Sequence, residues 1–205
     1  MNSTTKRIII LGTAHGSNVP GKCSPDKKFR EYQFSREVIG ILKPRLEAAG
    51  YTVFVDMPED VVPTPQVNEL AKRCRFVNGI CAKHGTQNCV YVSIHVNAAG
   101  SGGKWLDARG FAVYVARSCS ATSKNLAKTF CELAVSRNLH GNRSIPGEHY
   151  WQANFYVLRE TACPAVLTEN LFQDNRDDVD FLTSPTGKEA IVKLHFDAIN
   201  QVFGK

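Results

Sequence analysis

Short apolar runs alternate with longer segments of helical spacing along the chain. The most continuous run covers residues 90–97 and reads Val-Tyr-Val-Ser-Ile-His-Val-Asn before it stops at Ala-Ala-Gly. Nearly unbroken apolar runs of this length are typical of strands that are buried on both faces of a parallel sheet. Similar runs predict further strands at residues 7–13, 51–56, 111–115, 155–158 and 165–168.

Apolar residues recur at helical spacing between these runs. The pattern predicts helices over residues 32–49, from about 67 to 81, over 126–134 and after Ser184, where Pro185 suits the first helical position. Pro44 predicts a kink or break in the first of these helices, and residues 138–152 are expected to form a long polar loop. Strands that alternate with helices predict one α/β domain, residues 1–205, with a mostly parallel central sheet of about six strands flanked by helices.

Polar side chains follow three of the predicted strands. His15 comes after the first strand, His95 and Asn97 end the central one, and Glu169 follows the last one. Open α/β sheets bind ligands at the carboxyl ends of their strands, so these side chains are candidate site residues. Each has an ordinary structural explanation when it is taken alone, such as a hydrogen-bonded core histidine. Glu31, at the start of the first helix, would in the same way be favoured by the helix dipole.

Together these residues have the composition of a hydrolytic zinc site. Two imidazoles and one carboxylate, with a fourth position left for water, form a common catalytic zinc ligand set. A second carboxylate that does not bind the metal can serve as general base, because zinc brings the pKa of water to about 7. The chemistry alone does not decide which of Glu31 and Glu169 is the ligand and which is the base.

Seven segments carry recognisable motifs, in chain order His15-Gly16, Glu31, Ala49-Gly50-Tyr51-Thr52-Val53, Ser93-Ile94-His95-Val96-Asn97-Ala98, Arg109-Gly110-Phe111-Ala112-Val113-Tyr114, Val157-Leu158-Arg159 and Pro164-Ala165-Val166-Leu167-Thr168-Glu169. These motifs resemble those of zinc-dependent N-acetylmuramoyl-L-alanine amidases, the family of bacterial cell-separation amidases and phage endolysins. The resemblance implies that His15, Glu31 and His95 bind one Zn²⁺ per chain and that Glu169 is the catalytic base. Asn97 and Arg159 are candidate substrate-binding residues.

The activity implied by this resemblance is hydrolysis of the amide bond between the lactyl group of N-acetylmuramic acid and the L-alanine of the peptidoglycan stem peptide. The alternative is a zinc peptidase or carboxypeptidase that acts on cell-wall or other peptides. The chain departs from the family at residues 55–59, where Val-Asp-Met-Pro-Glu replaces a threonine-arginine-aspartate segment. It departs again at residues 170–172, where Asn-Leu-Phe replaces Thr-Gly-Phe. Both departures concern substrate contacts more than the metal.

The net charge and the distribution of basic residues bear on the kind of partner that the protein binds. The net charge of +6 suits a polyanionic partner such as nucleic acid, an anionic membrane or the bacterial wall. The basic residues are scattered without a nucleic-acid motif, so charge alone does not choose among these partners. The family resemblance implies peptidoglycan as the partner, and we expect no nucleic acid and a monomeric protein. No wall-binding repeats are visible, and the seven cysteines, an odd number, are expected to be reduced.

The apolar run at residues 8–11 is too short for a membrane span or the core of a signal peptide. We therefore expect cytoplasmic synthesis, followed by action on the cell wall after release. Secreted or periplasmic action is expected instead if a leader has been removed.

Overall fold

A six-stranded sheet forms the centre of the molecule. The computed structural model describes residues 7–101 and 103–204. The strand order is β2-β1-β3-β6-β4-β5, and all neighbours are parallel except β4 and β6. This arrangement confirms the predicted α/β class and the mostly parallel sheet. The strands are β1 Ile8–Thr13, β2 Thr52–Val55, β3 Cys89–Asn97, β4 Ala112–Ala116, β5 Trp151–Ala153 and β6 Ala165–Phe172.

The connecting segments contain the helices. Pro44 does not break the first helix, which runs without interruption past it. The start of the last helix is as predicted, because the Ser184 side chain accepts a hydrogen bond from the Gly187 backbone N–H and Pro185 occupies the first turn. The helices are α1 Glu31–Ala48, α2 Gln66–His84, α3 Ala121–Ser136, α4 Tyr156–Arg159, α5 Arg176–Thr183 and α6 Pro185–Phe203. Within residues 7–101 and 103–204, none of the helices is both long and apolar enough for a membrane span.

Helices cover both faces of the sheet. On one face α1, α3 and α6 pack against side chains such as Ile9, Leu11 and Val92. On the other face α2 and α4 pack against Ile10 and Tyr91. Because successive strand residues point to opposite faces, strands covered on both sides need apolar residues at nearly every position. This explains the unbroken apolar runs in β1 and β3.

The local structure differs from the sequence-based prediction at three places. Residues 155–158 are not a strand but lead into the short helix α4, and the fifth strand is instead β5, at the end of the expected polar loop. A four-residue apolar run has too little periodicity to separate a strand from a buried helical turn. Strand β6 continues past Thr168 to Phe172, so Glu169 lies within the strand rather than after it. Helix α5, which was not predicted, begins where the Asn175 side chain accepts a hydrogen bond from the Asp178 backbone N–H.

Candidate metal centre

His15, Glu31 and His95 converge at the carboxyl edge of the sheet. His15 follows β1, Glu31 is the first residue of α1, and His95 lies near the end of β3. Since β1 and β3 are parallel neighbours, their carboxyl ends meet at the same edge. One ligand atom from each of the three side chains lies within 4.8 Å of the other two. His15 and Glu31 are buried, and His95 is half-buried.

Glu31 lies between the two imidazoles. Its Oε1 is 3.0 Å from His95 Nδ1 and accepts a hydrogen bond from the Val96 backbone N–H, and its Oε2 is 3.7 Å from His15 Nε2. The buried Nδ1 of His15 has no hydrogen-bond partner in the described part of the chain. A buried polar atom without a partner costs free energy, so this nitrogen fits a residue that binds a ligand.

Glu169 lies beside this cluster. It pairs in register with His95 across β3 and β6. Glu169, His15, His95 and Lys22 line one cavity of about 220 Å³, whose wall includes the exposed ring of Phe155. The Glu169 Oε2 atom is buried and lacks a hydrogen-bond partner among the described residues. The cavity therefore brings a free carboxyl group to the two histidines.

The environment gives the titratable groups different protonation states. Burial lowers the pKa of His15 to about 3, against the attraction of Glu31, so this imidazole is neutral and able to bind a metal at pH 7. Burial opposes ionisation of Glu31, but the hydrogen bond with His95 and the charges of both histidines lower its pKa to about 2. Burial, followed by repulsion from Glu31, raises the pKa of Glu169 well above its usual range. One carboxyl group is thus a stable anion, and the other holds a proton readily.

The two candidate substrate-binding residues differ in position from this cluster. Asn97 ends β3, and its side-chain Oδ1 accepts a hydrogen bond from the Ala98 backbone N–H. Arg159 ends α4, donates to Glu160 and Asn154, and lines a different cavity from the one that contains Glu169. The structure therefore brings together His15, Glu31, His95 and Glu169 but does not bring Arg159 to them. The substrate roles of Asn97 and Arg159 stay predictions.

Sequence reasoning missed a buried ion-pair network beside the cluster, two members of which, Glu69 and Arg73, line the same cavity. Arg73 on α2 forms ion pairs with Asp56, at 2.8 Å, and with Glu69, at 2.9 Å. Asp56 Oδ2 also accepts a hydrogen bond of 2.7 Å from the Tyr91 hydroxyl. Asp56 belongs to the segment in which the chain departs from the family pattern, so this departure has a structural role. The available signal was Arg73 itself, a charged residue next to Cys74 on the buried face of a predicted helix.

The model of the N-acetylmuramoyl-L-alanine amidase family matches residues 9–201. The chain belongs to this family. The match covers nearly the whole α/β domain and confirms the resemblance that the motifs indicated.

Curated relatives match over part of their own lengths. The chain is 28% identical over 200 residues to the endolysin of Bacillus phage SPP1, a match that covers 96% of the chain and 66% of the endolysin. It is 32% identical over 116 residues to the N-acetylmuramoyl-L-alanine amidase CwlM of Bacillus licheniformis, which covers 55% of the chain and 40% of CwlM. The chain thus spans about two thirds of the length of the endolysin and 40% of the length of CwlM.

Solved structures of amidases share the fold. The chain superposes on the amidase Ami1 of Mycobacterium smegmatis with a TM-score of 0.79 at 17% identity, covering 97% of both chains. The N-acetylmuramoyl-L-alanine amidase of Clostridium difficile 630 gives a TM-score of 0.78 at 21% identity, again over 97% of both chains. At these identities the similarity shows the architecture alone.

Proposed function

We propose that the chain hydrolyses the amide bond between the lactyl group of N-acetylmuramic acid and L-alanine in bacterial peptidoglycan. The observation that carries the proposal is the cavity in which His15, His95 and Glu169 meet, with Glu31 bonded to His95. Family membership over residues 9–201 supports the choice of substrate. The names of the relatives, an endolysin and an amidase, support it further.

The cluster fits one zinc ion held by His15, Glu31 and His95. Two imidazoles and one carboxylate are a known catalytic zinc ligand set. The 3.7 Å separation of His15 Nε2 from Glu31 Oε2 and the ionised state of Glu31 suit this assignment. When bound, zinc supplies a Lewis acid that polarises a carbonyl oxygen and makes water more acidic.

Glu169 is assigned the role of general base. Its carboxylate takes a proton from the attacking water while the water oxygen adds to the carbonyl carbon of the amide. It then passes this proton to the departing L-alanine nitrogen as the carbon–nitrogen bond breaks. The products are a lactyl carboxylate on the sugar and a stem peptide with a free amine. The raised pKa of Glu169 makes its ionised form a stronger base, which suits removal of a proton from water.

Peptidoglycan is the proposed partner, and the cell wall is the proposed place of action. The net charge of +6 favours association with an anionic wall. We propose that the chain acts as a monomer after it has been released to the wall.

Mass spectrometry of digested peptidoglycan tests the proposed reaction. Purified peptidoglycan is incubated with the zinc-loaded protein and, as a control, with protein stripped by a chelator. The proposal predicts intact stem peptides with a free L-alanine amine in the first digest only. Shortened stems still attached to the sugar would show a zinc peptidase instead, and no release of peptide would contradict the proposed function.

A further inference from the structure

Two arginine side chains meet at the backbone carbonyl of His15. Arg36 on α1 donates to this oxygen from Nη2 at 3.0 Å, and Arg73 on α2 donates from Nη2 at 3.2 Å. The arginines lie 21 and 58 positions away along the chain and belong to helices on opposite faces of the sheet. Hydrogen bonds from charged donors are stronger than those between neutral groups, so this oxygen is firmly held.

We propose that Arg36 and Arg73 are positioning residues for His15, which fix its backbone so that its imidazole faces Glu31 and His95. Neither guanidinium bonds the imidazole, so both act through the main chain. This inference rests on the proposed zinc role of His15.

The backbone of His15 needs such support. Its φ angle is +38°, in the left-handed region that residues other than glycine rarely adopt. Conformations of this kind persist at functional sites only where the surrounding structure imposes them. Strand pairing between β1 and β3 ends at Thr13, so it does not reach His15. Side chains of α1 hold the segment instead: Ser35 Oγ accepts from the Ala14 backbone N–H, and Arg36 donates to the Ala14 carbonyl at 3.0 Å.

Arg73 is itself held rigidly. Its side chain is 3% exposed, and each of its three guanidinium nitrogens donates a hydrogen bond. Nη1 donates to Asp56 and to the Thr13 hydroxyl, both at 2.8 Å, and Nε donates to Glu69 at 3.1 Å. The His15 carbonyl is thereby connected to β1, the end of β2 and α2 through one buried unit.

Arg36 provides a second connection to the loop that follows β2. Its side chain is 13% exposed, and its guanidinium donates to the carbonyls of Met57 and Pro58, each at 3.3 Å. Since Arg36 and Glu31 belong to the same helix, the helix that provides one proposed ligand also fixes the backbone of another. Lysine does not replace such a side chain, because one ammonium group lacks the planar fork that reaches several carbonyls at once.

Zinc affinity of the full chain tests the inference without reference to activity. Four metal-free proteins each compete with a chromophoric chelator for zinc: wild type, R36M, R36K and R73K. Contacts that orient a metal ligand typically contribute 10- to 100-fold to affinity, so R36M and R73K are each expected to bind zinc about 10- to 100-fold more weakly. The Co²⁺-loaded variants should also show altered d–d absorption bands, which report ligand geometry and which a loss of stability alone would not change.

The matched control is R45M. Arg45 lies on the same helix as Arg36 but forms a surface ion pair with Glu189, so R45M should bind zinc like wild type. Circular dichroism and thermal melting in chelator show whether each variant folds, and R36K, which keeps the charge, provides the decisive comparison if R36M does not fold.

The outcomes separate this inference from the proposed function. If the wild type binds zinc and the folded Arg36 and Arg73 variants bind it equally tightly, the inference is overturned. The proposed zinc site is then unaffected. A wild type that binds no zinc would overturn both.

Discussion

His15 and His195 are both buried histidines, but they differ in the hydrogen-bond partners of their ring nitrogens. Burial lowers the pKa of each imidazole, to about 3 for His15 and to about 4 for His195. His195 on α6 has partners for both ring nitrogens: Nδ1 is 2.9 Å from the Ile191 carbonyl and Nε2 is 2.9 Å from the Thr168 hydroxyl. His15 has a ring nitrogen with no partner in the described segments.

This difference in hydrogen-bond partners indicates that His195 is a structural histidine and that His15 is a candidate metal ligand. The ring of His195 lies 5.0 Å from that of Phe130 within the apolar layer between the sheet and α6, so its hydrogen bonds serve the core. His15 and Glu169 instead line one cavity, and each has a buried side-chain atom without a partner among the described residues. Native proteins leave few buried polar atoms unpaired, and such atoms need an explanation. His15 differs from His195 because it lines a cavity together with His95 and Glu169, whereas both ring nitrogens of His195 have partners in the core.

The largest expected effect concerns Glu169. The E169Q variant keeps the size of the side chain but cannot accept a proton, so hydrolysis of peptidoglycan should fall about 10²- to 10⁴-fold. Its zinc content should equal that of wild type, because Glu169 is not a proposed ligand. The matched control is E47Q, which changes a surface glutamate paired with Lys43. Near-normal hydrolysis by E169Q would remove Glu169 from the role of base.

Exchange of each histidine for alanine should give opposite results. H15A is expected to lose zinc affinity by at least about 100-fold, because loss of a ligand should exceed the effect of losing a supporting contact. Its stability in chelator should change by less than about 1 kcal/mol, since the substitution also removes an unpartnered buried nitrogen. H195A should keep zinc affinity but lose about 2–4 kcal/mol of unfolding free energy, from a cavity and an unpaired Thr168 hydroxyl.

Metal titration and urea unfolding of the two variants measure these effects. Loss of zinc in H195A, or strong destabilisation in H15A, would contradict the division between the two regions.

The pH dependence of stability sharpens the comparison. The pKa of His195 is about 4 in the folded state and 6.5 in the unfolded state. Between these values the unfolded chain binds a proton that the native core does not, so stability falls as the pH falls from about 6.5 to 4. The full loss from this group is about 3 kcal/mol.

Urea unfolding in chelator should be measured in the H15A background, so that His15 does not contribute. In the H15A background, the H195L substitution should remove the fall in unfolding free energy that His195 causes between about pH 6.5 and pH 4. An unchanged slope would show that His195 is not the group that titrates.

Much of the candidate site could be predicted from the sequence because the ends of β1 and β3 have strong local signals. Apolar runs located these strands, and their neighbouring positions in the sheet brought His15 and His95 to one edge. No local sequence pattern indicated that Arg36 and Arg73 both bond to the His15 carbonyl, because this contact depends on how two separate helices pack. The strand predicted at residues 155–158 was wrong because a short apolar run fits a buried helical turn equally well.

The smallest expected change in unfolding free energy comes from a substitution on the protein surface. Arg45 and Glu189 form a bidentate ion pair, but their side chains are 42% and 49% exposed. Exposed pairs contribute about 1 kcal/mol or less, so R45M should change the unfolding free energy by no more than that. A larger loss in urea unfolding would show that stability depends on surface charges more than on the two buried regions.

Crystallography at the zinc absorption edge tests the central claim most directly. Crystals of the chain grown with zinc would give an anomalous difference map that locates the metal independently of activity. The account predicts one strong peak within coordination distance of His15, Glu31 and His95. A map with no peak there, or with zinc bound only elsewhere, would contradict it.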